Sequence, residues 1–254
     1  MRERIAKKLD IPIEGVNIFH EKRLPMVGTF HSTAAFFLRM FIDRLGYGKD
    51  FVIYDSDDVL RLIRSIMREQ NVNEKEMNPR AILGMISRAK NDGLSPDEYS
   101  ATVDSYAKSV TLDIYRIYAG RMREQNALDF DDLLLLFRKI LDDAEVLEYF
   151  HARFRYFLVD EYQDTNLLQY EIIKILAAHT RNLCVVGDDW QGIYSWRGAD
   201  IENILSFKKD YPEAVIINLE ENYRSTKNII SAANAVIKHN SHQMDKTLFT
   251  QKEE

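Results

Sequence analysis

Along most of the chain apolar residues recur every three to four positions, the period of helices with one buried face. Val59, Leu60, Ile63, Ile66 and Met67 follow the N-cap cluster Ser56, Asp57 and Asp58. Asn78-Pro79 opens a second helix that turns Ile82, Met85 and Ile86 inward before Gly93. Ser95 and Glu98 spell a capping box in front of a long helix bearing Tyr99, Val103, Tyr106, Val110, Tyr115, Tyr118 and Met122. Three successive helices with no strand between them predict a helical subdomain over residues 49–125.

Four runs break the helical period: residues 26–30, 156–160, 183–187 and 215–219. Each is nearly continuous in apolar side chains, the pattern of strands buried on both faces of a parallel sheet. Helical segments at 167–179 and 201–209 supply crossovers. The predicted fold class is α/β, a parallel sheet domain with an all-helical insertion between its first and second strands. After residue 219 the pattern changes, and residues 222–226 cap a further helix running to about residue 240.

Composition narrows the class. The 254 residues are 46% hydrophobic and 29% charged, which fits a globular chain and excludes collagen-like or disordered readings. No apolar stretch approaches the ~20 residues of a membrane span, and the charged N-terminus lacks a signal-peptide core, so a cytoplasmic home with no membrane partner is expected. The single cysteine, Cys184, excludes an intramolecular disulfide. His239 and His242 form a lone i,i+3 pair with no further ligand nearby, so a solvated helix end is the expectation. A net charge of −6 means that any contact with nucleic acid depends on a local surface.

The run ending in Val159 leads directly into Asp160 and Glu161, with Gln163 and Asp164 just beyond. Two carboxylates at the C-terminal edge of a parallel strand stand where open α/β sheets bind ligands. There one carboxylate can orient a Mg²⁺ shell and its neighbour can activate a water. The plain alternative is a solvated acidic turn. The next run enters Gly187-Asp188-Asp189-Trp190-Gln191 and then Tyr194, Trp196 and Arg197. Gln191 can bond a phosphate or place a water. Aromatics interleaved with arginine suit single-stranded nucleic acid, although core packing is the alternative for each ring taken singly.

Taken together, Thr29-Phe30-His31-Ser32, residues 128–133, 160–164, 186–200 and Glu221-Asn222-Tyr223-Arg224-Ser225-Thr226 closely resemble the UvrD/PcrA/Rep family of superfamily 1A DNA helicases. The match covers essentially the whole chain in order. The resemblance implies a 3′-to-5′ DNA translocase with two RecA-like motor domains. The chain would hold the first motor domain as residues 1–48 and 126–216, the insertion as 49–125, and the start of the second motor domain as 217–254. Asp160 would hold the Mg²⁺ of MgATP and Glu161 would be the general base. Gln191 would sense the γ-phosphate, Tyr223 would stack on adenine and Arg224 would contact the γ-phosphate. Thr29, Phe30, His31, Tyr194, Trp196 and Arg197 would line single-stranded DNA at a duplex junction. Residues 129–133 correspond to a further DNA-contacting motif, with Asp129, Asp131 and Asp132 reading equally as helix-start carboxylates.

Two departures stand out. Trp190 occupies a position where the family pattern expects an acid. No Gly-x-x-x-x-Gly-Lys-Ser/Thr occurs, so the phosphate-cradling loop of the family is absent from these residues. The expectation is a fragment of an ATP-dependent helicase that is inactive as an ATPase on its own, with self-association or low stability from an incomplete sheet. A stand-alone DNA- or partner-binding module is the alternative. A carboxylate metallonuclease using Asp160, Glu161 and Asp164 is a third reading, and it leaves the aromatic-arginine segment without a role.

Overall fold

The structure is a computed structural model that describes residues 2–10, 25–194, 198–240, 243–244 and 246–252. The fold is mixed α/β, mostly helical, in two compact units, Met1–Phe150 and His151–Glu254. Among the described residues no helix is long and apolar enough to cross a membrane.

The first unit begins with α1 (Arg2–Lys8) and α2 (Phe30–Phe41). The run at 26–30, expected as a strand, is not one: Thr29 is the N-cap of α2, its side chain accepting from the Ser32 N–H at 3.2 Å. The Thr29 hydroxyl, satisfying the N–H of the third helical residue, lets the local cap prevail over the apolar run. β1 (Val52–Ile53) and β2 (Ala127–Leu128) pair in parallel on either side of the helical block, a short sheet that the sequence pattern did not signal. Between them lie α3 (Ser56–Glu69), α4 (Pro79–Asn91), the single turn α5 (Pro96–Tyr99) and α6 (Tyr106–Glu124).

The caps largely dictate these boundaries. Asp55, one residue before the expected cluster, is the N-cap of α3 in a reciprocal box with Asp58. Asn78 caps α4 with Pro79 at its first position. The Ser95–Glu98 box forms as expected but caps only α5, because Ser105 starts α6 with a cap of its own. The expected long helix is therefore two, and Tyr106 is exposed. Ile63, Ile66, Met67, Ile82, Ile86, Tyr115, Tyr118 and Met122 form one buried core from α3, α4 and α6. α7 (Phe130–Ile140) packs on α2, where Phe37 stacks on Phe137 with ring centroids 6.0 Å apart. α8 (Ala144–Arg153) brings Phe150 to 4.6 Å from the Phe37 ring.

The second unit contains β3 (Phe157–Val159), α9 (Leu167–Ala177) and β4 (Leu183–Val185). The two strands pair in parallel, Phe157 opposite Leu183 and Val159 opposite Val185, with α9 as the crossover. Asn166 caps α9 in a box with Gln169. α10 (Glu202–Leu205), α11 (Phe207–Asp210) and α12 (Lys227–Ile237) complete the unit.

Two further expectations change here. The run at 215–219 forms no strand, since no ladder partner lies beside it among the described residues, and Val215 and Leu219 are 84% and 82% exposed. β3 and β4 form a two-stranded sheet with one open face, so Leu158 is 78% exposed and Cys184 is exposed, instead of being buried on both faces.

Candidate functional site

β3 delivers Asp160 and Glu161 to an exposed position just past the strand end. Asp160 Oδ1 accepts from the Glu161 N–H at 3.2 Å. Glu161 has φ +53°, the left-handed region, which costs a residue with a Cβ about 1–2 kcal/mol. This turn swings the chain from the strand into a 3-10 turn, Tyr162–Asp164. The Tyr162 N–H donates to the Val186 carbonyl at 3.0 Å and the Val186 N–H to the Val159 carbonyl at 2.8 Å, so the two strand ends are tied.

Gln163, 1% exposed, joins them through its side chain. Its Nε2 donates to Glu161 Oε2 at 2.8 Å, and its Oε1 accepts from the Asp188 N–H at 3.0 Å. Glycine at 187 leaves room for this bond, because a Cβ there would stand 2.7 Å from Gln163 Oε1 and 2.8 Å from Ile204 Cδ1 and displace both side-chain ends. Asp188 caps the 3-10 turn Asp189–Gln191, and Gln191 Nε2 donates to Asp188 Oδ2 at 2.7 Å. A continuous hydrogen-bonded chain thus runs from Glu161 through Gln163 and Asp188 to Gln191. Burial raises the Asp188 carboxyl, but the bonds from Lys246 and Gln191 outweigh it and leave the group below its ordinary value. Burial, with the Glu161 charge behind it, pushes Asp164 up.

On its outer side Gln191 borders an open cleft of about 450 Å³ lined also by Glu221, Asn222, Tyr223 and Arg224. Asn222 Oδ1 accepts from the Arg224 and Ser225 N–H groups at 2.9 and 2.8 Å, an Asx turn that shapes this wall. The Tyr223 hydroxyl donates to Glu221 Oε2 at 2.8 Å, a bond that raises the phenol, while the ring is 80% exposed. Arg224 is exposed. The structure therefore brings Gln191, Tyr223 and Arg224 to one cleft and links Asp160 and Glu161 to it through Gln163. Tyr194 lies beyond Gln191, 38% exposed, and Trp196 and Arg197 lie outside the described residues, as does His242. Among the described residues no group of three His, Cys, Asp or Glu side chains could hold a metal ion.

In the first unit Thr29, Phe30 and His31 form the start of α2. Burial lowers His31, against the opposing charge of Asp131. Its ring lies 6.0 Å from that of Phe130, which is 55% exposed at the start of α7. The neighbouring acids do not share that exposure. Asp129 caps α7 in a box with Asp132 and is buried, its Oδ2 accepting from Lys90 Nζ at 2.7 Å and from the Tyr118 hydroxyl at 2.6 Å. Lys90 Nζ also lies 2.6 Å from Asp132 Oδ1. Of the two readings of these acids, the helix-start one describes Asp129 and Asp132.

Sequence reasoning missed Gln163, Lys90, Lys246 and the exposure of Phe130. Only Gln163 carried a local signal, an amide two residues beyond Glu161.

The family model for the UvrD/REP helicase N-terminal domain matches residues 1–212, and that for the UvrD-like helicase C-terminal domain matches 217–254. The chain belongs to the UvrD/REP helicase family. It is 49% identical over 229 residues to the ATP-dependent DNA helicase PcrA of Bacillus subtilis, covering 90% of this chain and 31% of that protein. It is 43% identical to PcrA of Staphylococcus epidermidis over 251 residues, 97% of this chain and 34% of the relative. PcrA of Staphylococcus aureus is 43% identical over 254 residues, 98% of this chain and 33% of the relative. The chain spans about a third of the length of these relatives.

Proposed function

We propose that these residues are part of the ATP-hydrolysing and DNA-tracking machinery of a 3′-to-5′ DNA helicase. The observation that carries this reading is the cleft where Gln191 faces Tyr223 and Arg224, wired through Asp188 and Gln163 to Glu161. In the proposed domain plan, residues 1–48 and 126–216 are a RecA-like motor domain, 49–125 its insertion, and 217–254 the start of a second motor domain. Exposed Tyr223 offers a flat face to adenine, and Arg224 and the Gln191 amide can bond terminal phosphate oxygens. Glu161, its carboxylate fixed by Gln163, is placed to take a proton from a water.

Asp160 is the residue that would hold Mg²⁺. An exposed strand-end carboxylate with no third protein ligand among the described residues fits an ion that keeps waters and takes phosphate oxygens. That ion would neutralise charge on the transferred phosphoryl group. Thr29, Phe30, His31, Tyr194, Trp196 and Arg197 are the proposed contacts to single-stranded DNA at a duplex junction. With no phosphate-loop motif in the 254 residues, the chain by itself has no ATPase activity in this reading. The exposed Leu158, Val215 and Leu219 support self-association when the chain is isolated.

The test is ATP hydrolysis with Mg²⁺ and single-stranded DNA, by the chain and by the same chain with a phosphate-loop strand and helix joined upstream. The chain alone should stay at background. The joined protein should turn over and lose about 10²-fold or more on Glu161→Gln. Turnover by the chain alone that Glu161→Gln abolishes would overturn the inactivity. Turnover in the joined protein that ignores Glu161→Gln would overturn the base assignment.

A further inference from the structure

We infer that Lys246 is a positioning residue for Gln191, clamping Asp188 and Asp189 over the Trp190 ring and so fixing where the Gln191 amide stands at the cleft. The inference rests on the reading of that cleft as the nucleotide site.

The carboxylate of Asp188 serves three partners, one of them the Trp190 N–H, which donates to Oδ1 at 3.1 Å. Oδ1 also accepts from Lys246 Nζ at 2.6 Å, and Oδ2 accepts from Gln191 Nε2 at 2.7 Å. The same ammonium bonds Asp189 Oδ1, and the other Asp189 oxygen accepts from the Met244 N–H at 2.7 Å. Lys246 Nζ lies 4.7 Å from the Trp190 ring centroid, and its side chain is 14% exposed. Two adjacent acids, one of them 4% exposed, repel each other unless a cation sits between them. Without Lys246 the Asp188 Oδ1 keeps only the Trp190 N–H and loses its charged partner, so the plane that sets the Gln191 amide is held less firmly.

Lys246 is carried by the opposite wall of the cleft. The chain around it pairs with the segment bearing Tyr223: the Asn222 N–H donates to the Phe249 carbonyl at 2.7 Å and the Phe249 N–H to the Glu220 carbonyl at 3.0 Å. The clamp therefore joins the Tyr223–Arg224 wall to the Gln191 wall, and a change in cleft width reaches the Gln191 amide directly. Trp190 gains a reason as well. The indole provides the floor beneath the ammonium.

The experiment follows the Gln191 side-chain amide of the ¹⁵N-labelled 254-residue chain by NMR, identified by its loss in Gln191→Ala, during titration with MgATP. In the native chain the resonance should move with nucleotide. In Lys246→Met it should be displaced before nucleotide is added, and the apparent MgATP affinity should fall about fivefold or more. Lys246→Arg should restore both, and Trp190→Leu, which keeps every charge, should displace the resonance partway. An unchanged backbone amide pattern establishes that each variant is folded. A folded Lys246→Met chain with native Gln191 position and native response overturns the proposal. A native chain whose Gln191 resonance ignores MgATP overturns the nucleotide reading of the cleft, while displacement in the nucleotide-free variant still reports the clamp.

Discussion

Replacing Lys90 by Met should be among the most damaging single changes in the first unit. The side chain is 2% exposed near the end of α4, with its ammonium 2.7 Å from Asp129 Oδ2, 2.6 Å from Asp132 Oδ1 and 4.9 Å from the Tyr118 ring centroid. Methionine keeps the stem and removes the cation, leaving two neighbouring carboxylates without their counter-ion. Breaking a buried pair on one side costs about 3–5 kcal/mol, a large share of the ~5–15 kcal/mol that holds a domain folded. With a urea slope of about 2 kcal/mol per molar, the midpoint at pH 8 should fall by about 2 M, read by far-ultraviolet circular dichroism.

The pH dependence supplies a second readout. Burial, only partly opposed by the Lys90 charge, pushes Asp132 up to about 7, so its stabilising contribution is present below pH 4 and lost as pH rises towards 7. Asp129 runs the other way: burial raises it, but Lys90 and the hydrogen bonds of Tyr118 and Asp132 leave it lowered, so its contribution is lost in acid. Without Lys90 both carboxyls are raised, and the folded state takes up protons. The Lys90→Met deficit should therefore shrink between pH 8 and pH 5. A deficit under about 1 kcal/mol at pH 8, or one that does not shrink on acidification, would refute the reasoning.

Gly187→Ala should cost about 1–3 kcal/mol, since the new methyl group meets Gln163 Oε1 and Ile204 Cδ1 at under 3 Å, and a thermal melt of the chain would detect it. Gln163→Leu keeps the bulk but leaves the Asp188 N–H without its acceptor, for a loss of about 1–3 kcal/mol on the same melt. Phe130→Ala should leave the melt within about 0.5 kcal/mol, because the ring is 55% exposed, yet weaken single-stranded DNA binding by about 1–3 kcal/mol in fluorescence anisotropy. Unchanged DNA affinity would remove Phe130, and with it the 129–133 motif's exposed ring, from contact with DNA.

What the sequence disclosed was local. The box at Ser95–Glu98, and Asn78 with Pro79, act within four residues, and each marks a real helix start. The strand-end acids Asp160 and Glu161 were legible for the same reason, being adjacent in sequence and in space. The apolar runs were less reliable because a strand exists only with a ladder partner, which periodicity cannot reveal. Residues 183–185 have that partner in β3, whereas the equally apolar 215–219 has none among the described residues.

The charged contacts were hidden by distance along the chain. Lys90 and Asp129 are 39 residues apart, and Lys246 and Asp188 are 58 apart, so neither pair leaves a trace in any window that reads helices or caps. Asp129 shows the consequence. Its local pattern, an acid before an apolar helix, is satisfied by capping alone, but its burial is decided by a lysine on α4 and a tyrosine on α6. Trp190 shows the converse. Read locally it breaks the family pattern, yet its indole lies under the Lys246 ammonium that also bonds Asp189. A departure from a motif therefore weakens an assignment only until the distant partner is known. Here the partner ties Trp190 to the same clamp that orients Gln191.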